Sequence, residues 1–185
     1  TVFGFWFTSV TRQYMSAWRL QLQLLNRQQH SFFSVKNDML WYHLIQPAYL
    51  GTIWAIFSFE TMLFATGAGI LAFLFLESIN YIEHYGLVRE KGKPVGMRHS
   101  WNSNHFLSSI YLCNVTRHSD HHRSTKLNFW ELNPIHKDAP LLPYGYLSML
   151  YLVLLTPFLY KKIMAEKLAY WDHNIATEYE RKYYS

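Results

Sequence analysis

Three histidines stand three and four residues apart in the hexapeptide R-H-S-D-H-H, residues 117–122. On an α-helix this spacing places His118, His121 and His122 on one face, within about one turn. Imidazoles that converge on one point can bind iron, copper, zinc or nickel. Asp120 could accept a hydrogen bond from the second ring nitrogen of a ligand histidine. A polar helix end with surface histidines is the alternative, but the spacing favours a metal site.

A fourth histidine follows a long apolar run, in the octapeptide N-Y-I-E-H-Y-G-L, residues 80–87. His84 therefore stands where an apolar helix meets water. A histidine in such a position is, by itself, more often an interfacial residue than a ligand. The R-H-S-D-H-H motif further along the chain reverses that preference, and we predict that His84 completes the metal site.

Together the two motifs resemble those of the integral-membrane alkane 1-monooxygenases, with the xylene monooxygenases as near relatives. The segment R-H-S-W-N-S-N-H, residues 98–105, is also similar to that family. The resemblance implies a non-haem di-iron (Fe) centre that uses O₂ to hydroxylate a terminal C–H bond of a hydrophobic substrate dissolved in membrane lipid. It also implies a bacterial inner (plasma) membrane location and electrons from a rubredoxin or a ferredoxin-type reductase.

The resemblance implies a set of site residues in this sequence. The iron ligands would be His84, His118, His121 and His122, and Glu83 and Asp120 would hydrogen-bond to them. By their positions in the sequence, three further residues could face the substrate or support the ligands: Glu77, Asn80 and His105. Glu77 stands seven residues before His84 and could instead be interfacial. The family has two more histidine motifs upstream, H-x-x-x-H and H-x-x-H-H, which are absent before His84. Because four ligands are too few for two irons, we expect residues 1–185 to be the C-terminal part of one longer hydroxylase domain, or a truncated relative, inactive alone.

The composition favours a membrane protein. Half of the 185 residues are hydrophobic and 18% are aromatic, and aromatic rings are enriched at membrane–water interfaces. The net charge is +5, but the basic residues are scattered and no nucleic-acid motif is present, so an anionic membrane surface is the expected partner and nucleic acid is not. The single Cys113 excludes an intramolecular disulfide, and we expect it to be buried.

Two mainly apolar runs, residues 41–59 and 61–79, predict an all-α integral membrane fold. Each is close to the roughly 20 residues that cross a bilayer core. A hairpin of two spanning helices with Glu60 near its turn keeps this charge out of lipid; two buried helices of a soluble protein are the alternative. Basic residues flank both ends, so these ends, and the helical cap with the histidine motifs, are predicted to be cytoplasmic.

Periodicity predicts further helices. Residues 1–34 form an amphipathic pattern that suits either a membrane surface or a packed core. Residues 102–122 are predicted as one helix capped by Asn102 or Ser103, which would place His105 roughly opposite His118. An apolar helix is predicted over residues 144–160, broken at Pro157, after an irregular segment. Of the other histidines, His99 is left unassigned, His43 is predicted to be interfacial, and three are predicted to be exposed: His30, His136 and His173.

Two functions compete with a membrane hydroxylase. A membrane desaturase or related oxidase could use the same histidines to remove two hydrogens, although N-Y-I-E-H-Y-G-L favours hydroxylation. A non-catalytic relative could keep the fold and lose the site. A zinc hydrolase is disfavoured because the H-E-x-x-H pattern is absent.

Overall fold

The computed structural model describes residues 1–134, 137 and 139–184, and the regular elements of this part are helical. The all-α prediction is confirmed there, with no strand beyond one isolated bridge between Asn102 and Leu141. Short 3₁₀ turns occupy Met97–His99 and Val115–Arg117. The α-helices are α1 (Val2–Arg27), α2 (Asp38–Ile56), α3 (Phe59–His84), α4 (Phe106–Tyr111), α5 (His118–Arg123), α6 (Tyr146–Leu155), α7 (Pro157–Asn174) and α8 (Glu178–Tyr184).

The chain divides into two compact units, one of Phe3–Glu77 and one of Thr1–Val2 with Ser78–Ser185. In the first unit, α1 ends before the predicted boundary at residue 34. The chain leaves the helix through Gln29, whose φ of 56° is left-handed, and a left-handed residue cannot continue an α-helix.

The two predicted apolar runs form α2 and α3, separated by Phe57 and Ser58. Ser58 Oγ accepts a hydrogen bond from Thr61 N at 3.2 Å. Glu60 lies in the first turn of α3, near the connection as predicted, where its charge is favourable next to the unpaired N–H groups of the helix start.

Of the helices in the described residues, α3 is the one whose length and composition suit a membrane crossing, with a mean hydropathy of 1.9 over its best window. The 19-residue α2 contains Asp38 and Pro47 and does not meet this measure. A cleft of about 450 Å³ is lined by side chains of both helices, including Tyr49 and Phe73. One spanning helix is therefore supported, and the second span and the hairpin topology stay predictions.

In the second unit, α6 and α7 pack around a core of large side chains. The break between them falls at Pro157, as predicted, and this proline occupies the first turn of α7, where its missing N–H is harmless. Residues at three- and four-residue steps on α7 are buried and give it one apolar face: Tyr160, Met164, Leu168 and Trp171. This face fixes the C-terminal helices against the rest of the unit.

The prediction of one helix over residues 102–122 is wrong. The helix α4 ends at Tyr111 because Cys113 and Asn114 have left-handed φ angles of 48° and 58°, and Asn114 N donates to Ser109 O at 2.8 Å. Asparagine tolerates this conformation better than most residues. Neither Asn102 nor Ser103 is the predicted cap, because the residue that precedes α4 is His105. Asn102 instead lies in extended backbone paired with the segment around Leu141.

Two consequences follow from this break. Cys113 lies in the turn and is exposed, so the prediction that it is buried is wrong. His105 was predicted to lie opposite His118 by counting turns along one continuous helix. That reasoning does not apply, because no continuous helix joins the two residues.

Candidate metal centre

The C-terminal end of α3 and the short helix α5 bring three histidines together. The ligand nitrogens of His84, His118 and His122 all lie within 4.8 Å of one another. The ring centroid of His84 lies 5.4 Å from that of His118 and 5.5 Å from that of His122. The ring centroids of His118 and His122 are 4.4 Å apart. Residues from two distant sequence motifs thus form one cluster.

His121 lies at the edge of this cluster. Its ring centroid is 5.6 Å from that of His118 and 6.1 Å from that of His122. It does not belong to the tight group of three, and its role as a ligand stays a prediction.

The sequence ends α3 directly after His84. Gly86 has a φ of +70°, and Leu87 N donates to His84 O at 3.2 Å. A Cβ atom at Gly86 would approach Leu168 Cδ2 to 2.6 Å. The left-handed turn therefore favours glycine here, and an added Cβ would also force the Leu168 side chain to shift.

An extended segment after Met97–His99 fastens the end of α3. His84 Nδ1 lies 2.9 Å from His99 O, and Trp101 N donates to Glu83 O at 2.8 Å. Trp101 is 1% exposed, and its carbonyl accepts a hydrogen bond from the hydroxyl of buried Tyr146. Backbone and side-chain bonds together fix the orientation of His84.

The same segment fastens α5. Ser119 Oγ donates to Ser100 O at 2.8 Å, and Ser119 N donates to Asn102 Oδ1 at 3.0 Å. These three side chains are completely or almost completely buried. Residues 99–102 are therefore bonded both to the end of α3, which carries His84, and to α5, which carries His118 and His122. These bonds hold the two histidine-bearing segments next to each other.

The two predicted carboxylates have different surroundings. Glu83 is buried, and its Oε1 lies 3.4 Å from His118 Nδ1. Asp120 is also buried, but its oxygens accept from Arg123 Nε at 2.6 Å and from Asn133 N at 2.8 Å. Asp120 thus anchors the chain after α5, and its role in orienting a ligand histidine stays a prediction.

The electrostatics favour neutral imidazoles in the cluster. Burial, reinforced by the neighbouring imidazoles, lowers the pKa of His118 to about 3 and that of His122 to about 4. His122 Nε2 is buried and has no hydrogen-bond partner. A buried polar atom without a partner normally destabilises the folded state. Neutral rings with an unused lone pair are the form in which histidine binds metal. The donor set therefore fits a first-row transition metal such as iron.

The remaining predicted residues lie outside the group of three. Asn80 is half-buried on α3, one turn before His84. His105 precedes α4, is exposed and lines a small cleft with Ser103 and Leu142. In the first unit, Glu77 Oε1 accepts a hydrogen bond from Gln13 Nε2 at 3.0 Å.

The exposure that was predicted for His30 and His173 is confirmed, whereas the interfacial position of His43 stays a prediction. His30 and His173 are exposed. His43 is exposed as well and shares a 2.9 Å hydrogen bond with Tyr14 Oη. His136 lies outside the described residues, so its predicted exposure stays a prediction.

Sequence reasoning missed a buried pair near the cluster, His99 with Glu180. Glu180 Oε1 lies 2.7 Å from His99 Nε2, and both side chains are buried. Desolvation opposes the charge, but hydrogen bonds from His99, Thr177 and Arg98 together hold the pKa of Glu180 well below its usual range. The available signal was the T-x-x-E capping-box pattern of Thr177 and Glu180, which predicts a helix start but not the contact with His99.

The amino-acid sequence is similar to those of known proteins. A family model described as fatty acid desaturase matches residues 1–153. The chain is 34% identical over 178 residues to alkane 1-monooxygenase 2 of Alcanivorax borkumensis, covering 93% of this chain and 46% of the relative. It is 37% identical over 161 residues to alkane 1-monooxygenase 1 of Pseudomonas aeruginosa, covering 84% and 41%.

A more distant similarity reaches a related hydroxylase. The xylene/toluene monooxygenase hydroxylase component of Pseudomonas putida is 29% identical over 182 residues, covering 98% of this chain and 49% of the relative. The chain thus spans a little under half the length of each of these relatives.

Proposed function

The chain belongs to the fatty acid desaturase family, and from this premise we propose that it is part of a membrane non-haem di-iron monooxygenase. The substrate is the terminal methyl group of an alkane, or the methyl group of an alkyl-aromatic compound. The relatives named as alkane and xylene monooxygenases support this reaction class.

One observation carries the proposal: three histidines converge at the end of α3, the helix whose length and composition suit a membrane crossing. Such a cluster can receive a substrate that diffuses in lipid. His84, His118, His122 and His121 hold iron, and Glu83, next to His118, supports them. Iron bound there supplies the activation of O₂ for the oxidation of a C–H bond. Because four histidines are too few for two irons, the other ligands come from residues outside this chain.

The apolar helix α3 and the named relatives also support a proposal for the cellular location. The protein is a multi-pass protein of the bacterial inner membrane, and the histidine motifs face the cytoplasm, where a rubredoxin or ferredoxin-type donor supplies electrons. The chain's own residues that would hold the metal are exposed at His84 and half-buried at His118 and His122.

The test uses the full-length protein that contains this chain. His122→Ala removes an imidazole from the centre of the cluster, and His121→Ala removes the one at its edge. Both should lower bound iron, and turnover should fall on the order of 100-fold, because an open metal site depends on its full ligand set.

The matched control is His173→Ala, since His173 is exposed on α7. It should keep wild-type iron content and rate. The measurements are iron per protein and ¹⁸O incorporation from ¹⁸O₂ into the alcohol product. Normal iron and labelling in His122→Ala would contradict the proposal.

Desaturation is the second candidate, because the matching family model carries a desaturase description. Product analysis separates the two reactions. An alcohol with one labelled oxygen supports hydroxylation, whereas an alkene without label supports desaturation.

A further inference from the structure

The hydrogen bonds of His99 leave neither of its ring nitrogens free to bind a metal. Gly96 N donates to His99 Nδ1 at 2.9 Å, so Nδ1 carries the lone pair. The hydrogen therefore resides on Nε2, which donates to Glu180 Oε1 at 2.7 Å. His99 is buried at 5% exposure, but it is held on both edges and is not a ligand.

The backbone of His99 does act on a proposed ligand. Its carbonyl oxygen accepts from His84 Nδ1 at 2.9 Å. Because a carbonyl can only accept, His84 carries its hydrogen on Nδ1 and its lone pair on Nε2. A partner of this kind fixes both the tautomer and the ring orientation of a metal-binding histidine.

The C-terminal helices hold this carbonyl in place from two sides. Glu180 also accepts from Arg98 Nε at 3.1 Å and from Thr177 N at 2.8 Å, so its carboxylate is firmly fixed at the start of α8. From α7, Trp171 Nε1 donates to Arg98 O at 2.8 Å, and the Trp171 side chain is fully buried. Residues 98 and 99 are therefore anchored through both backbone and side chains.

We propose that Glu180 is a positioning residue for the iron centre, acting through His99 to fix His84. This inference rests on the proposed function, since it takes His84 as an iron ligand. Glu180 touches neither substrate nor metal. Its effect is to keep the His99 carbonyl against His84 Nδ1, so that the lone pair on Nε2 is held in one direction.

Glu180→Ala in the full-length protein tests the proposal. We expect its iron affinity, measured by competition with a chelator, to fall about tenfold, the lower end of what the loss of a supporting hydrogen bond does to a metal site. Glu178→Ala is the matched control, because Glu178 lies on the same helix and is exposed. It should leave the affinity unchanged.

A double-mutant cycle separates positioning from general destabilisation. If Glu180 acts through His84, then Glu180→Ala should not weaken iron binding further in a protein that already carries His84→Ala. Additive losses would overturn the proposal. Wild-type iron affinity in a folded Glu180→Ala protein would overturn it as well.

His99→Phe is the second variant, used where Glu180→Ala does not fold. It keeps a planar ring of similar size and removes the bonds to both Gly96 and Glu180. It should show the same tenfold loss, and unchanged affinity would again overturn the proposal. The proposed function fails in a different way: full iron in both His84→Ala and His122→Ala would mean that the cluster is not the metal site.

Discussion

The imidazoles of His118 and His122 remain neutral well into the acidic range. Their pKa values of about 3 and about 4 lie below the ordinary value of 6.5. Between the ordinary histidine pKa of 6.5 and these lower folded-state values, the unfolded chain binds protons that the folded chain does not. The free energy of unfolding therefore decreases as the pH falls through this range. Above about pH 7.5 these groups are neutral in both states and contribute no pH dependence.

We therefore expect the thermal unfolding midpoint of the metal-free protein in detergent to drop between pH 6.5 and pH 4. His118→Gln, which cannot titrate, should reduce this slope. His173→Gln removes an exposed imidazole and should leave the slope unchanged. An equal slope in wild type and His118→Gln would show that His118 is not protected from protons in the fold.

The site was partly predictable residue by residue. The spacing of R-H-S-D-H-H places His118 and His122 side by side even on a helix of only six residues, because neighbours four apart need one turn. The part played by His99 was not predictable, because its partner Glu180 is 81 residues away and only tertiary packing brings the two together.

At the scale of elements, a left-handed turn at Gly86 follows the end of α3 at His84. Gly86→Ala places a residue with a side chain in the left-handed conformation. It also brings the new Cβ atom too close to the Leu168 side chain. We expect a loss of roughly 2 kcal/mol in the free energy of unfolding, from the left-handed strain and the overlap together.

Gly67→Ala is the control for this prediction. Gly67 lies inside α3, and an added Cβ there has no heavy atom within 4 Å. The change should be neutral or slightly stabilising, since alanine is the better helix former. Denaturant unfolding followed by circular dichroism measures both variants, and equal midpoints would contradict the requirement for glycine at residue 86.

Elements were predicted well where the signal was long and apolar, and poorly where polar side chains compete for the backbone. Two apolar runs with Glu60 between them leave few alternatives to a pair of helices. The segment 102–122 is rich in serine and asparagine, whose side chains offer the backbone other partners. There Asn102 bonds to Ser119 N, and Asn114 takes a left-handed turn.

At the scale of the whole molecule, the proposed hairpin places Lys36 and Lys91 on the same side of the membrane. Both side chains are exposed. Single Lys36→Cys and Lys91→Cys variants should react with a membrane-impermeant thiol reagent from the cytoplasmic side only. The background must carry Cys113→Ser, because the native Cys113 is itself exposed. Labelling of the two positions from opposite sides would exclude the hairpin.

The bond between His99 and Glu180 has a consequence for the order of events during synthesis. Glu180 is made 81 residues after His99, and chains are synthesised at roughly 5–20 residues per second. For several seconds the histidines of the cluster thus exist in a chain that lacks the carboxylate holding His99. In that interval His84 Nδ1 can already bond to the His99 carbonyl, but the His99 side chain lacks its partner Glu180. We expect the proposed iron site to reach its full affinity only after α8 has been translated.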